Sequence, residues 1–129
     1  MYKTIFAALT LTTLAGCSST SHTFTSIVNC DRDRGSTSFE RECRYHYLNS
    51  PMSVKVESVQ NLGVVYTTLF AEAGDSKKMI DCSIKGTRYR DRIEKLKPGE
   101  LINIIGTPKE VTTEGDVTFV HMDECEPIE

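Results

Sequence analysis

Between Val54 and Met122 the chain is punctuated at intervals that few architectures can accommodate. Val54-Lys55-Val56-Glu57-Ser58-Val59 alternates apolar and polar side chains, as a half-buried strand does, and Asn61-Leu62-Gly63 supplies a turn. A second run, Val64 to Ala71, is rich in β-branched and aromatic residues and stops at Gly74-Asp75-Ser76. A third, Met79 to Lys85, puts Ile80, Cys82 and Ile84 on one face. Gly86 breaks the alternation, and Tyr89, Ile93 and Leu96 then recur as one narrow helical stripe. Thr87 is the predicted N-cap and Pro98-Gly99 the stop. Leu101 to Ile105 predicts a fourth strand, Gly106-Thr107-Pro108 a bend, Glu114-Gly115-Asp116 a turn, and Val117 to Met122 a fifth strand. The chain thus reads as three strands, one short helix and two more strands.

The N-terminus sets the compartment in which that pattern folds. Lys3 precedes an apolar run, Ile5 to Leu14, which is too short for the about 20 residues a membrane-spanning helix needs and reads as the middle of a signal peptide. Leu14-Ala15-Gly16-Cys17 follows, and it resembles the lipobox of bacterial lipoproteins. The resemblance implies cleavage before Cys17, diacylglycerol on its sulfur and a further acyl chain, such as palmitate, on its amine. Three chains exceed what stable anchoring requires, since each buried CH₂ contributes about 0.8 kcal/mol. Ser18 stands where an enterobacterial inner-membrane retention signal would carry Asp, which implies the outer membrane, on its periplasmic side. The expected organisation is a signal peptide over 1–16, a lipidated tether over 17–22, an N-terminal hairpin-like element over 23–49 and a domain over 50–129. Export leaves Cys30, Cys43, Cys82 and Cys125 for two disulfides, with three pairings open. Gaps of 13, 39 and 43 positions fit a four-cysteine zinc site poorly, and no C-x-x-C exists for thiol redox chemistry. No metal and no cofactor is expected.

The order of elements from Val54 onward is that of an OB-fold, a five-stranded Greek-key barrel with a helix between the third and fourth strands. The stretch CSIKGTRYRDRIEKLKPGELINIIGTPKEV, with VTFVHMDECEPIE after the next turn, resembles the small exported OB-fold domains grouped as tRNA-anticodon-like. Leu96, Lys97, Gly99, Gly106 and Cys125 occupy the positions that carry the likeness. In such a barrel the third and fifth strands are neighbours, so the resemblance implies Cys82 with Cys125 and therefore Cys30 with Cys43. Alternation puts Val120 and Met122 on the face opposite Cys125, so a bulge or strand end near Asp123 is required to turn that sulfur inward. Upstream, Phe24, Ser26 and Val28 alternate, Asp31 to Ser36 reads as a charged turn, and Phe39, Cys43, Tyr45 and Tyr47 suggest a returning strand, although Phe39, Cys43 and Tyr47 also fit one helix face.

The chain carries no nucleophile elbow, zincin HExxH, phosphate-binding glycine loop or EF-hand pattern. His121 and Asp123 could form part of a general-base pair, but the sequence places no nucleophile beside them. A non-enzymatic binding module is therefore expected. Tyr66 and Phe70 share one face of the second strand, with Val65, Thr67, Leu69 and Ala71 as the alternative inward set, and Tyr45 or Tyr47 could approach from the N-terminal element. Arg88, Arg92 and Lys95 form a predicted basic ridge. The 15 basic and 18 acidic residues are unevenly placed: residues 85–97 are net positive, whereas residues 110–129 hold acids and no Lys or Arg. The expected partner is another envelope protein, in an assembly, exclusion or scaffolding role; single-stranded nucleic acid or glycan is the alternative, resting on Tyr66, Phe70 and the ridge.

Overall fold

The computed structural model describes residues 20–62, 66–85 and 87–128. Five strands, β1 (Ser50–Leu62), β2 (Tyr66–Glu72), β3 (Lys78–Lys85), β4 (Leu101–Glu114) and β5 (Val117–Ile128), close a barrel in the order β1-β2-β3-β5-β4. All neighbours run antiparallel except β3 and β5, which are parallel. Closure falls to β1, whose first half pairs with β4 and whose second half pairs with β2. This is the barrel expected from the order of elements, and each strand turns its apolar set inward. Met52, Val54 and Val56 of β1, Leu69 and Ala71 of β2, Ile80, Cys82 and Ile84 of β3, and Ile102 and Ile104 of β4 are all buried.

Two of the strands extend well past their predicted ends because bulges, not breaks, absorb the irregular residues. In β5 the pairing steps from Thr107 with Asp123 to Ile105 with Glu126, so β5 carries one extra residue. Glu124 is that residue, with φ at 54°. Burial accordingly switches from Val120 and Met122 to Cys125 and Pro127, the inward turn that a disulfide at Cys125 requires. Pro108 stays within β4 beside a second register shift, one of the few places a sheet tolerates proline.

The helix between β3 and β4 is only Arg90–Glu94. Its predicted N-cap is corrected: Thr87 lies before the helix and offers its carbonyl to the Arg90 N–H, while Tyr89 holds the cap position without a side-chain bond. The apolar stripe is otherwise as expected, with Ile93 fully buried and Tyr89 and Leu96 packed on the core.

The N-terminal element is also corrected, from a hairpin to helices. A helix, α1, covers residues 20–34; α2 (Ser36–Ser38), a π-helical turn (Phe39–Cys43) and α3 (Arg44–His46) follow, so that the Arg90–Glu94 helix is α4. Phe24 and Ile27, three apart, are buried in the barrel core together with Phe39 and Cys43, four apart. Helical spacing serves both pairs, whereas strand alternation would put Phe24 and Ile27 on opposite faces. Gly35, at φ 82°, ends α1 while its N–H caps the Asp31 carbonyl at 2.8 Å, so the charged stretch is a helix end. Residues 20–22, expected in the tether, belong to α1, and Thr20 is buried. Disulfides join Cys30 to Cys43 and Cys82 to Cys125, each with Cα atoms 5.9 Å apart, the pairing that the resemblance implied.

Candidate functional site

Because Thr67, Leu69 and Ala71 face the barrel interior, Phe70 stands on the outer face of β2, where it is half-buried. Register then builds a row across four strands. Phe70 lies opposite Asp81 on β3, Asp81 opposite His121 on β5, and His121 opposite Glu110 on β4. Phe70, Asp81, Thr112, Glu114, Phe119 and His121 line an open groove of about 210 Å³ on this face.

A chain of polar contacts fixes the groove floor. His121 Nδ1 is 3.1 Å from Asp81 Oδ2, and His121 Nε2 is 2.7 Å from Thr112 Oγ1. A carboxylate only accepts, so Nδ1 carries the proton toward Asp81, and Nε2 is held by the Thr112 hydroxyl. The Phe119 ring stacks near-parallel to the imidazole, 15° between planes and 6.1 Å between centroids. With both ring nitrogens and one face engaged, the imidazole has little rotational freedom. His121 does not pair with Asp123: β5 neighbours two apart share a face, but Asp123 is drawn to Arg44 of α3, whose Nη1 sits 3.2 Å from both carboxylate oxygens.

The remaining predicted site residues lie elsewhere. Tyr66 opens β2 opposite Leu62 and Lys85 in register, and its reading as a stacking ring falls outside the described side chains. Cys17 falls outside the described residues. Arg88, Arg92 and Lys95 do not form one helical ridge, because α4 is too short to hold all three: Arg88 precedes it and Lys95 is its C-cap. The Arg88 guanidinium sits 5.1 Å above the Tyr89 ring and shares a depression with Asn49, Glu124 and Glu126, not with Phe70. Tyr45 is exposed on α3, and Tyr47 follows it, packed on the core and lining a depression with Cys30 and His46. Neither lines the Phe70 groove.

The acidic segment does not make one negative face. Glu114 borders the groove, Asp116 pairs with Lys77 at 3.5 Å, Asp123 with Arg44, and Glu124 and Glu126 flank Arg88. Glu110 approaches Asp31 of α1, whose carboxyl is pushed above its ordinary value, first by burial and then by Glu110. Cys30, Cys43, Cys82 and Cys125 are consumed as disulfides, which removes them as zinc ligands or nucleophiles. A second cleft, about 440 Å³, runs between α1 and the β2–β3 and β4–β5 turns, with Phe24 and Val28 on one side and Lys77 and Lys78 on the other.

No family model and no curated protein matches the sequence. Among solved structures, the chain is similar to a candidate nucleic acid-binding lipoprotein from Klebsiella pneumoniae subsp. pneumoniae, at 12% identity and a TM-score of 0.47, over 68% of this chain and 77% of that one. A likeness so distant assigns nothing to this chain.

Sequence reasoning reached Phe70 and His121 but not Asp81, Thr112, Glu114 or Phe119. Their signal was present as outward alternation, Asp81 between the inward Ile80 and Cys82, and Phe119 beside Val120. The missing step was the parallel register of β3 and β5, which brings residues 40 positions apart into contact.

Proposed function

We propose that the chain is an envelope lipoprotein anchored through Cys17, whose barrel is a non-catalytic module binding another envelope protein through the groove at Phe70. The observation that carries this reading is the groove's composition. Two phenyl rings and an imidazole lie beside the Asp81 and Glu114 carboxylates, and no Lys or Arg is among the lining residues. Aromatic faces next to carboxylates favour an arginine or lysine side chain, through cation–π attraction of about 0.5–2 kcal/mol and charge-assisted hydrogen bonds. Phosphate would be repelled there, and of the basic residues that supported nucleic-acid binding, Arg88 lines a different depression and neither Arg92 nor Lys95 lines this groove. A glycan is the second reading, favoured by the Phe70 and Phe119 rings beside the hydroxyl of Thr112. The polar chain Asp81–His121–Thr112 is read as positioning: Thr112 is a secondary alcohol in mid-strand, and its role is to lock the imidazole.

The experiment compares ligand classes on the domain starting at Ser18. An arginine-rich peptide is expected to bind, to weaken with salt, and to lose its affinity when Asp81→Asn and Glu114→Gln are combined. Oligonucleotide binding that survives those substitutions would overturn the reading. A fluorophosphonate is expected to leave Thr112 unlabelled, and labelling there would overturn the non-catalytic role.

A further inference from the structure

We propose that the anchor holds this barrel flush against the bilayer in one orientation, with Thr20 and Ser21 of α1 and the β2–β3 turn at the headgroups. The inference rests on the lipidation of Cys17 proposed above and adds a geometry to it. Cys17 and Thr20 are three residues apart, a span of at most about 11 Å between Cα atoms. Thr20 is no free tether. It is 3% exposed, and its Oγ1 accepts the Ser53 N–H at 2.9 Å. Ser21 accepts from Lys78 Nζ at 2.6 Å and packs against Gly74, where a Cβ would stand 3.3 Å from that of Ser21. Phe24 and Ile27, the next two inward residues of α1, are buried in the barrel core. The attachment point is thus fixed to β1 and to the β2–β3 turn.

The headgroup layer of one leaflet takes up about 5–8 Å of the available reach, the difference between a bilayer's full and hydrocarbon thickness. What is left is a few ångströms, less than the width of one strand pair, so the barrel end that holds Thr20 must touch the surface. The two lysines at that end are each paired: Lys77 with Asp116 at 3.5 Å and Lys78 with Asp75 at 3.9 Å. The contact is accordingly imposed by the short leash and not by attraction to anionic lipid. Orientation follows, because β2 runs from the β1–β2 tip to this end over six residue steps, about 20 Å along the strand and about 15 Å along the barrel axis at the usual tilt. The partner-facing groove starts at Glu114, beside the β4–β5 turn, and runs up the side wall past His121 and Phe70, away from the surface.

The test uses the full-length protein, lipidated in cells and reconstituted into phosphatidylcholine vesicles with and without phosphatidylglycerol. A photocrosslinking amino acid is placed at Ser76, in the β2–β3 turn, or at Gln60, near the opposite tip. Ser76 is expected to give several-fold more phospholipid adduct than Gln60, whatever the anionic content. Equal adducts from the two positions on vesicle-bound protein would overturn the fixed orientation while leaving the anchor intact. Protein that does not float with the vesicles would instead overturn the anchor. Inserting about 12 Gly/Ser residues before Thr20, with a mean span near 19 Å, is expected to bring the Ser76 adduct down to the Gln60 level while flotation persists. An unchanged Ser76 adduct in that variant would overturn the leash as the cause.

Discussion

Gly106 shows how tightly single positions are specified. A Cβ there would lie 2.7 Å from Cys125 Sγ and 3.3 Å from Met122 Cε. The sulfur is bound to Cys82 and has nowhere to retreat, so Gly106→Ala is expected to cost about 1–3 kcal/mol, the usual toll of overpacking. Urea denaturation checks this, and the cost is expected to fall sharply when Cys82 and Cys125 are both alanine; an equal cost in both backgrounds would contradict the clash. Asp31 supplies a pH dependence. Its raised carboxyl means that the folded state resists ionising it, so the ionised form weakens the fold at neutral pH, and the weakening is relieved as pH falls through the raised value. Asp31→Asn is therefore expected to be more stable than the parent at pH 7, with the difference vanishing in acid once Asp31 is protonated in folded and unfolded states alike. A difference that grows on acidification, followed by thermal unfolding across pH, would contradict this. The Glu124 bulge was demanded by Cys125 alone, since nothing else in the sequence says that β5 must change face.

At the scale of elements, the strands with clean alternation were legible and the others were not. Ile80, Cys82 and Ile84 declare β3 without help from the rest of the chain. Phe24, Ser26 and Val28 alternate too, though less legibly, but Phe24 and Ile27 form a helix face that only the barrel core selects. Period two and period three overlap over five residues, and tertiary burial decides between them. The end of β4 was hidden for a different reason: Gly106 and Pro108 usually terminate strands, and here a bulge carries them. The helical segment relies on its disulfide and its two anchors. Removing Cys30–Cys43 as a double alanine variant is expected to cost about 3 kcal/mol, against about 4 for Cys82–Cys125, since the closed loops span 13 and 43 residues. Phe24→Ala is expected to cost about 3–5 kcal/mol and to loosen α1 before the barrel, which hydrogen exchange resolved by element would show. Simultaneous exchange of α1 and the strands would contradict that order.

For the molecule as a whole, barrel closure spreads a sequence-level charge asymmetry over several places. The β4–β5 hairpin spans 28 residues; Asp116 pairs with Lys77 and Asp123 with Arg44, Glu124 and Glu126 line the depression of Arg88, and Glu114 borders the groove. What survives as a concentrated feature is the outer wall where Phe70, Asp81, Phe119 and His121 meet. That wall was half legible: composition supplied an aromatic and a histidine, while register supplied their neighbours. The most direct measurement is photocrosslinking in intact cells from position 70 of the full-length lipoprotein. A discrete protein adduct is expected from Phe70 and not from Asp91 on α4, and it is expected to disappear when Asp81→Asn and Glu114→Gln are introduced together. Adducts that form from Asp91 but not from Phe70, or that persist without those two carboxylates, would contradict the account.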